Sequence, residues 1–150
     1  MGFDWRFNLS GGPPLVLPFQ FKDTETLRKG DLMNIETGEI DLGATNDTDF
    51  AGVFVGPENP DDAHKDQPGR VDGTDSTTWA LVIVNPDAVY GVTDANARNA
   101  GAALDISGAS GAMTVAAASN NDVRVVKTKK AAGDETLVVL DPGEHYLAKA

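Results

Sequence analysis

Cysteine is absent from this 150-residue chain, which removes disulfides, thiolate metal sites and a cysteine nucleophile at once and leaves the redox compartment open. Positive charge is scarce: 12 Lys and Arg stand against 23 Asp and Glu, a formal net charge of −11. A field of that sign repels phosphate backbones and anionic headgroups, so neither nucleic acid nor a membrane is expected as a partner. Long apolar runs are missing as well; none approaches the roughly 20 residues of a membrane-spanning helix. The start, Met1-Gly2-Phe3-Asp4-Trp5-Arg6, has no basic region leading into an apolar stretch, and Arg6 stands where a myristoylation motif takes Ser or Thr. The chain is therefore expected to be soluble as made. Histidine occurs twice, as His64 and His145, and no His-Glu-x-x-His pattern, nucleophile elbow or phosphate loop is present. Both histidines read as ordinary loop or strand-end residues. No catalytic residue, cofactor or enzyme activity is expected.

What is present suits one domain. The hydrophobic fraction of 41% matches ordinary globular proteins, and a chain of this length buries about two-thirds of its unfolded surface. Residues 1–21 differ from the rest. Phe3, Trp5 and Phe7 alternate with Asp4 and Arg6, the period of a strand with one apolar face. Ser10-Gly11-Gly12-Pro13-Pro14 follows, a flexible pair of glycines and a stiff pair of prolines that cannot be helical. Leu15 to Phe21 resumes an extended pattern interrupted by Pro18, which a strand accepts only at an edge or a bulge. Five of the ten aromatic residues, Phe3, Trp5, Phe7, Phe19 and Phe21, lie in this segment.

From residue 22 to 150 the sequence is a succession of short β signals. Leu32–Ile35 and Ile40–Leu42 form a hairpin across Glu36-Thr37-Gly38-Glu39. Phe50–Val55 is a further strand with a bulge at Gly52, and the apolar run Trp79–Val84 reads as the central, most buried one. Ala88–Val92, Ala102–Ile106, Met113–Ala117, Asp122–Lys127, Thr136–Leu140 and His145–Leu147 are shorter strands separated by Gly-, Asn-, Asp- and Pro-rich turns. Thr93–Ala100, capped by Thr93 or Asp94 and ended by Gly101, is the one expected short helix. The fold class is mostly β: a small barrel, SH3-like, or a sandwich, with one short helix and an extended N-terminal arm.

Three features invite a functional reading. The acidic loop 56–78 carries Glu58, Asp61, Asp62, Asp66, Asp72 and Asp75 with few apolar residues; the oxygens of Asn59, Asp61, Asp62 and Asp66 could take Ca²⁺, but the EF-hand glycine and closing Glu are missing, so a solvated or partner-contacting loop is expected and no metal is assigned. Lys127, Lys129 and Lys130 form a basic cluster that reads as a solvated hairpin tip or as a dock for an acidic neighbour. The arm is the strongest candidate, with Phe3, Trp5, Phe7, Pro13, Pro14, Leu15 and Leu17 as partner-binding residues: its main chain pairs with another subunit's sheet edge while alternate side chains fill pockets there. Burying three aromatics yields about 5–9 kcal/mol gross, against about 1–2 kcal/mol for each residue ordered, so a single arm is marginal and gains from repetition in a symmetric assembly. Deleting residues 1–14 is expected to leave a folded domain.

The stretch Lys29-Gly30-Asp31-Leu32-Met33-Asn34-Ile35-Glu36-Thr37-Gly38-Glu39-Ile40, with Phe50–Gly56 after it, resembles the small head-decoration, or cement, proteins of tailed bacteriophages. The later order Ala102–Asp105, Val123–Val126 and Thr136–Val139 is similar to their β-barrel domains, and the likeness covers about residues 24–147. The resemblance implies a structural protein on the outer surface of a virion, made in the host cytoplasm, bound to the major capsid protein and commonly trimeric. The acidic loop has no counterpart in that pattern. The alternative is a carbohydrate- or host-surface-binding module of a virion, in which exposed Trp79 or Tyr90 stacks on sugar rings.

Overall fold

The computed structural model describes residues 2–20, 26–45, 47–57, 71–72, 79–129 and 135–148. Its strands are β1 (Asp4–Asn8), β2 (Val16–Gln20), β3 (Thr26–Leu27), β4 (Leu32–Glu36), β5 (Glu39–Leu42), β6 (Phe50–Pro57) and β7 (Val71–Asp72). They continue as β8 (Trp79–Ile83), β9 (Ala88–Thr93), β10 (Ala103–Ser107), β11 (Thr114–Ala117), β12 (Val123–Val125) and β13 (Glu135–Leu140). One sheet has the order β1-β9-β13-β12-β10-β11, a second β2-β8-β6-β4-β5, and β3 pairs with β7. Neighbouring strands are antiparallel throughout, and the sheets face each other as a sandwich without closing into a barrel.

Alternation dictates the packing. In β13, Thr136, Val138 and Leu140 are buried and Glu135, Leu137 and Val139 face outward. Inward residues of the first sheet meet Leu32, Phe50, Val53 and Ile83 of the second in the main core. The second sheet is apolar on both faces, the pattern of a doubly covered sheet: Met33, Ala51, Phe54, Ala80, Val82 and Val84 form another cluster with Leu27 and Ile40. The β4–β5 hairpin turns on Thr37 (φ +53°) and Gly38 (φ +83°), the two left-handed positions of a type I′ turn. The register between β4 and β6 shifts where Met33 faces Gly52 and Asn34 faces Phe50, so the expected bulge is present. Gly52 is required there: at φ +142°, its added Cβ would lie 1.7 Å from the Ile83 carbonyl oxygen.

Several expectations are corrected. No helix is present among the described residues. Within 93–100, the Asp94 carboxylate accepts from the Asn96 amide (3.3 Å) and Arg98 Nε (2.6 Å), while Arg98 exchanges main-chain hydrogen bonds with Lys129; the would-be cap is spent on a loop. The β8 strand is interior, paired with β2 on one side and β6 on the other, but the middle and most buried strand of its sheet is β6, and Trp79 is 45% exposed. His145–Leu147 is a turn, held by a single bridge between Phe50 and His145. The acidic loop lies outside the described residues apart from Gly56–Pro57 and Val71–Asp72.

Candidate functional site: a bent apolar flank

Residues 1–21, expected as an arm, run along the edges of both sheets over the described part. β1 pairs with β9, Trp5 opposite Tyr90 and Phe7 opposite Val89; β2 pairs with β8, Val16 opposite Ile83 and Phe19 opposite Ala80. Asn85-Pro86-Asp87 carries the chain from β8 to β9, from one sheet to the other, and residues 9–15 follow that crossing in the opposite direction. The Leu9 amide donates to the Asp87 carbonyl (3.0 Å), the Ser10 amide to the Asp87 carboxylate (2.7 Å), the Leu15 amide to the Asn85 side-chain carbonyl, and the Val84 amide to the Leu15 carbonyl (2.9 Å). The Ser10 hydroxyl and amide hold the Asp87 carboxyl below its ordinary range. The segment is one bent edge strand, and it bends at Gly11 (φ +82°) and Gly12 (φ +83°), a conformation that L side chains avoid.

The partner-binding candidates divide. Phe3 is 1% exposed in the main core, and its amide donates to the Gly30 carbonyl (2.8 Å); it is a core residue of its own chain, because the first strand continues the sandwich. Trp5 is half-buried against the same core, and its Nε1 donates to Asn8 Oδ1 (3.1 Å). Asn8 Nδ2 in turn donates to the Pro13 carbonyl (3.0 Å), bracing the corner. A bulge between Trp5 and Phe7 turns Phe7 to the outer face. Pro13 is exposed and Pro14 half-buried. Seven large apolar side chains are exposed among the described residues, and Phe7, Leu9, Leu15, Val16 and Leu17 are five of them. Leu9 and Val16 were not expected; their place next to the bend is the sequence signal that marks them.

Both edges of this segment are blunted. The Leu15 carbonyl accepts from Val84, just past the end of β8, so alternation turns the main chain of Leu17 and Phe19 the same way and that of Val16, Pro18 and Gln20 to the open side. Pro18 offers no N–H there, and β1 is bulged at Arg6, two devices that discourage strand addition. Arg6 donates from Nε to both Glu135 oxygens (3.0 Å), which raises its pKa and clamps β1 to β13 across β9. What the flank offers a partner is side-chain surface.

No protein-family model matches the chain, and no curated protein matches it.

Elsewhere, buried polar groups serve as staples. Asp105 accepts from the Ser119, Asn120 and Asn121 amides (2.8 Å each) and the Ser119 hydroxyl; burial pushes its carboxyl up, but these donors outweigh it and bring it to about 2. Asp31 joins two loops by accepting from the Arg28 and Gly111 amides (2.8 Å each) and the Ser110 hydroxyl (2.6 Å). Lys129 is buried and donates to the Asp94 carbonyl, so it is withdrawn from the expected basic tip, where Lys127 is exposed; Lys130 lies outside the described residues. His145 is fully buried, stacked 5.3 Å from Tyr146, and its Nδ1 accepts the Leu147 amide (3.1 Å). Burial pushes its pKa down. His64, Asn59, Asp61, Asp62, Asp66 and Asp75 lie outside the described residues. Among the described residues, no three Asp, Glu or His side chains are grouped to hold a metal.

Proposed function

We propose that this chain is a structural protein that decorates the outer surface of a viral shell, with the flank from Phe7 to Leu17 as its contact. The observation that carries the reading is the concentration of exposed apolar side chains on one bent edge of a sandwich whose edge hydrogen bonding is blunted. Such an edge suits docking against a preformed surface by side chains. The likeness of Lys29–Ile40 and Phe50–Gly56 to head-decoration proteins supports a shell as that surface, the major capsid protein as partner, and self-association, as a trimer, on it. Fully burying five such side chains is worth about 1.5–3 kcal/mol each at most, against about 4–15 kcal/mol for lost freedom on association. One contact is therefore weak, and a shell supplies many equivalent ones. Neither catalysis nor a cofactor enters this role.

Co-sedimentation with shells assembled from the major capsid protein of the same genome tests it. Wild-type protein should pellet with the shells, and a folded Leu15→Asp/Leu17→Asp variant should stay in the supernatant. Wild-type protein that fails to pellet ends the shell reading; a double variant that pellets equally removes the flank from it.

A second reading, binding of carbohydrate, is favoured by Trp79 at 45% exposure. Tyr90 takes no part, being 1% exposed in the main core. Saturable quenching of tryptophan fluorescence by a soluble glycan, abolished in Trp79→Ala, would support it.

A further inference from the structure

We propose that β1 exchanges between copies of this chain: residues 2–8 leave their own β9 and occupy the same place on the β9 of a second copy. The inference concerns the protein free in solution, where the flank proposed as the shell contact is unoccupied, and its test uses no shell.

The slot is specific for this strand. It takes Phe3 into the main core, sets Trp5 against Tyr90, and places Arg6 where Glu135 accepts from it. An identical strand from a second copy would make every one of these contacts unchanged. The connection to β2 is built to open. Leu9 and Leu15 are anchored at Asp87 and Val84, so the chain spends six residue steps on a crossing that the opposing strand makes in three. The surplus is Gly11, Gly12 and Pro13, all exposed; a Cβ on either glycine would touch nothing within 4 Å. The corner is held by its ends and by Asn8, and re-aiming it means rotating two glycines whose surroundings are empty. Pro13-Pro14 keeps the released segment extended.

The driving force lies beside the hinge. Phe7 and Leu9 precede the corner and Leu15, Val16 and Leu17 follow it, all exposed in the closed form. Exchange brings two corners together, so apolar surface that each monomer leaves in water is covered by the other copy. The closed form retains the advantage of an intramolecular partner at high effective concentration, and exchange therefore grows with protein concentration.

The absence of cysteine makes the test direct. Phe7 and Val89 are opposite each other in the antiparallel pair, a separation of about 5.5 Å between Cα atoms that a disulfide spans. In the full chain, Phe7→Cys/Val89→Cys should oxidise to a monomer-mass species when dilute and to a growing share of reducible dimer as concentration rises, while each single variant gives no comparable dimer. Deleting residues 11–14 in the same background cuts the crossing from six steps to two, against three on the opposing strand, and a hinge shortened in this way favours exchange over the closed form. That variant should be a dimer by light scattering and an intermolecular disulfide on a non-reducing gel. Monomer-mass protein from the deletion variant, or double-cysteine dimer no greater than the single variants produce at any concentration, overturns the proposal.

Discussion

At Gly52 the backbone of β6 passes so close to Ile83 that no side chain fits, and φ is +142°. Gly52→Ala should therefore lose about 2–4 kcal/mol in urea unfolding. Thr37 is the opposite case, a β-branched residue at φ +53° in a type I′ turn that Asn fills best; Thr37→Asn should gain about 0.5–1 kcal/mol in the same assay. His145 brings pH dependence. Its folded pKa is lowered by burial, so the unfolded chain binds the proton first. The stabilisation is complete above the unfolded value of about 6.5 and is lost as pH falls from there towards the folded value. Its immediate neighbours Glu144 and Tyr146 are titratable too, and Asp47 and Asp122, whose pKa values burial raises, act in the opposite sense at lower pH. The difference between wild type and His145→Gln, followed by urea unfolding from pH 7 to pH 5, isolates the imidazole: the wild type should lose more stability over that interval.

At the scale of elements, the place of β1 changes what truncation should do. A free arm could be removed without harm, but Phe3 lies in the main core. Phe3→Ala should cost about 3–5 kcal/mol, and deletion of residues 1–14 should at least match it by also baring the β9 edge, as chemical denaturation would read. Arg6→Ala should cost less than about 1 kcal/mol, because its pair with Glu135 is solvent-exposed on both sides. The strands themselves were legible wherever alternation or a turn motif was local: β13 from Thr136, Val138 and Leu140, the first hairpin from Thr37-Gly38, and the bulge from Gly52. The failures were non-local. Thr93–Ala100 has a helix cap at one end and Gly101 at the other, yet Asp94 finds Arg98 and the main chain of Arg98 finds Lys129. Trp79 joins an apolar run, yet at the start of β8, opposite Gln20, it is 45% exposed. Gly11-Gly12-Pro13-Pro14 announced a bend in the candidate site; which strands it would join depends on β8 and β9, some 65–85 residues further along the chain, and no local pattern carries that.

For the whole molecule, a net charge of −11 opposes any approach of one copy to another, while the flank that would be covered is apolar. These two contributions respond differently to salt. The screening length falls from about 30 Å at 0.01 M to about 10 Å at 0.1 M, which weakens repulsion between whole molecules and leaves apolar burial almost unchanged. Self-association, read as weight-average mass by light scattering at fixed protein concentration, should therefore increase across that range. Contacts made of intermolecular ion pairs, such as Lys127 against another copy's acidic loop, would give the reverse, a mass that falls with added salt. Leu15→Asp/Leu17→Asp separates the causes further. It adds two negative charges and removes two apolar side chains, so if the flank is the contact, salt should not restore its association to the wild-type level even where screening is strongest.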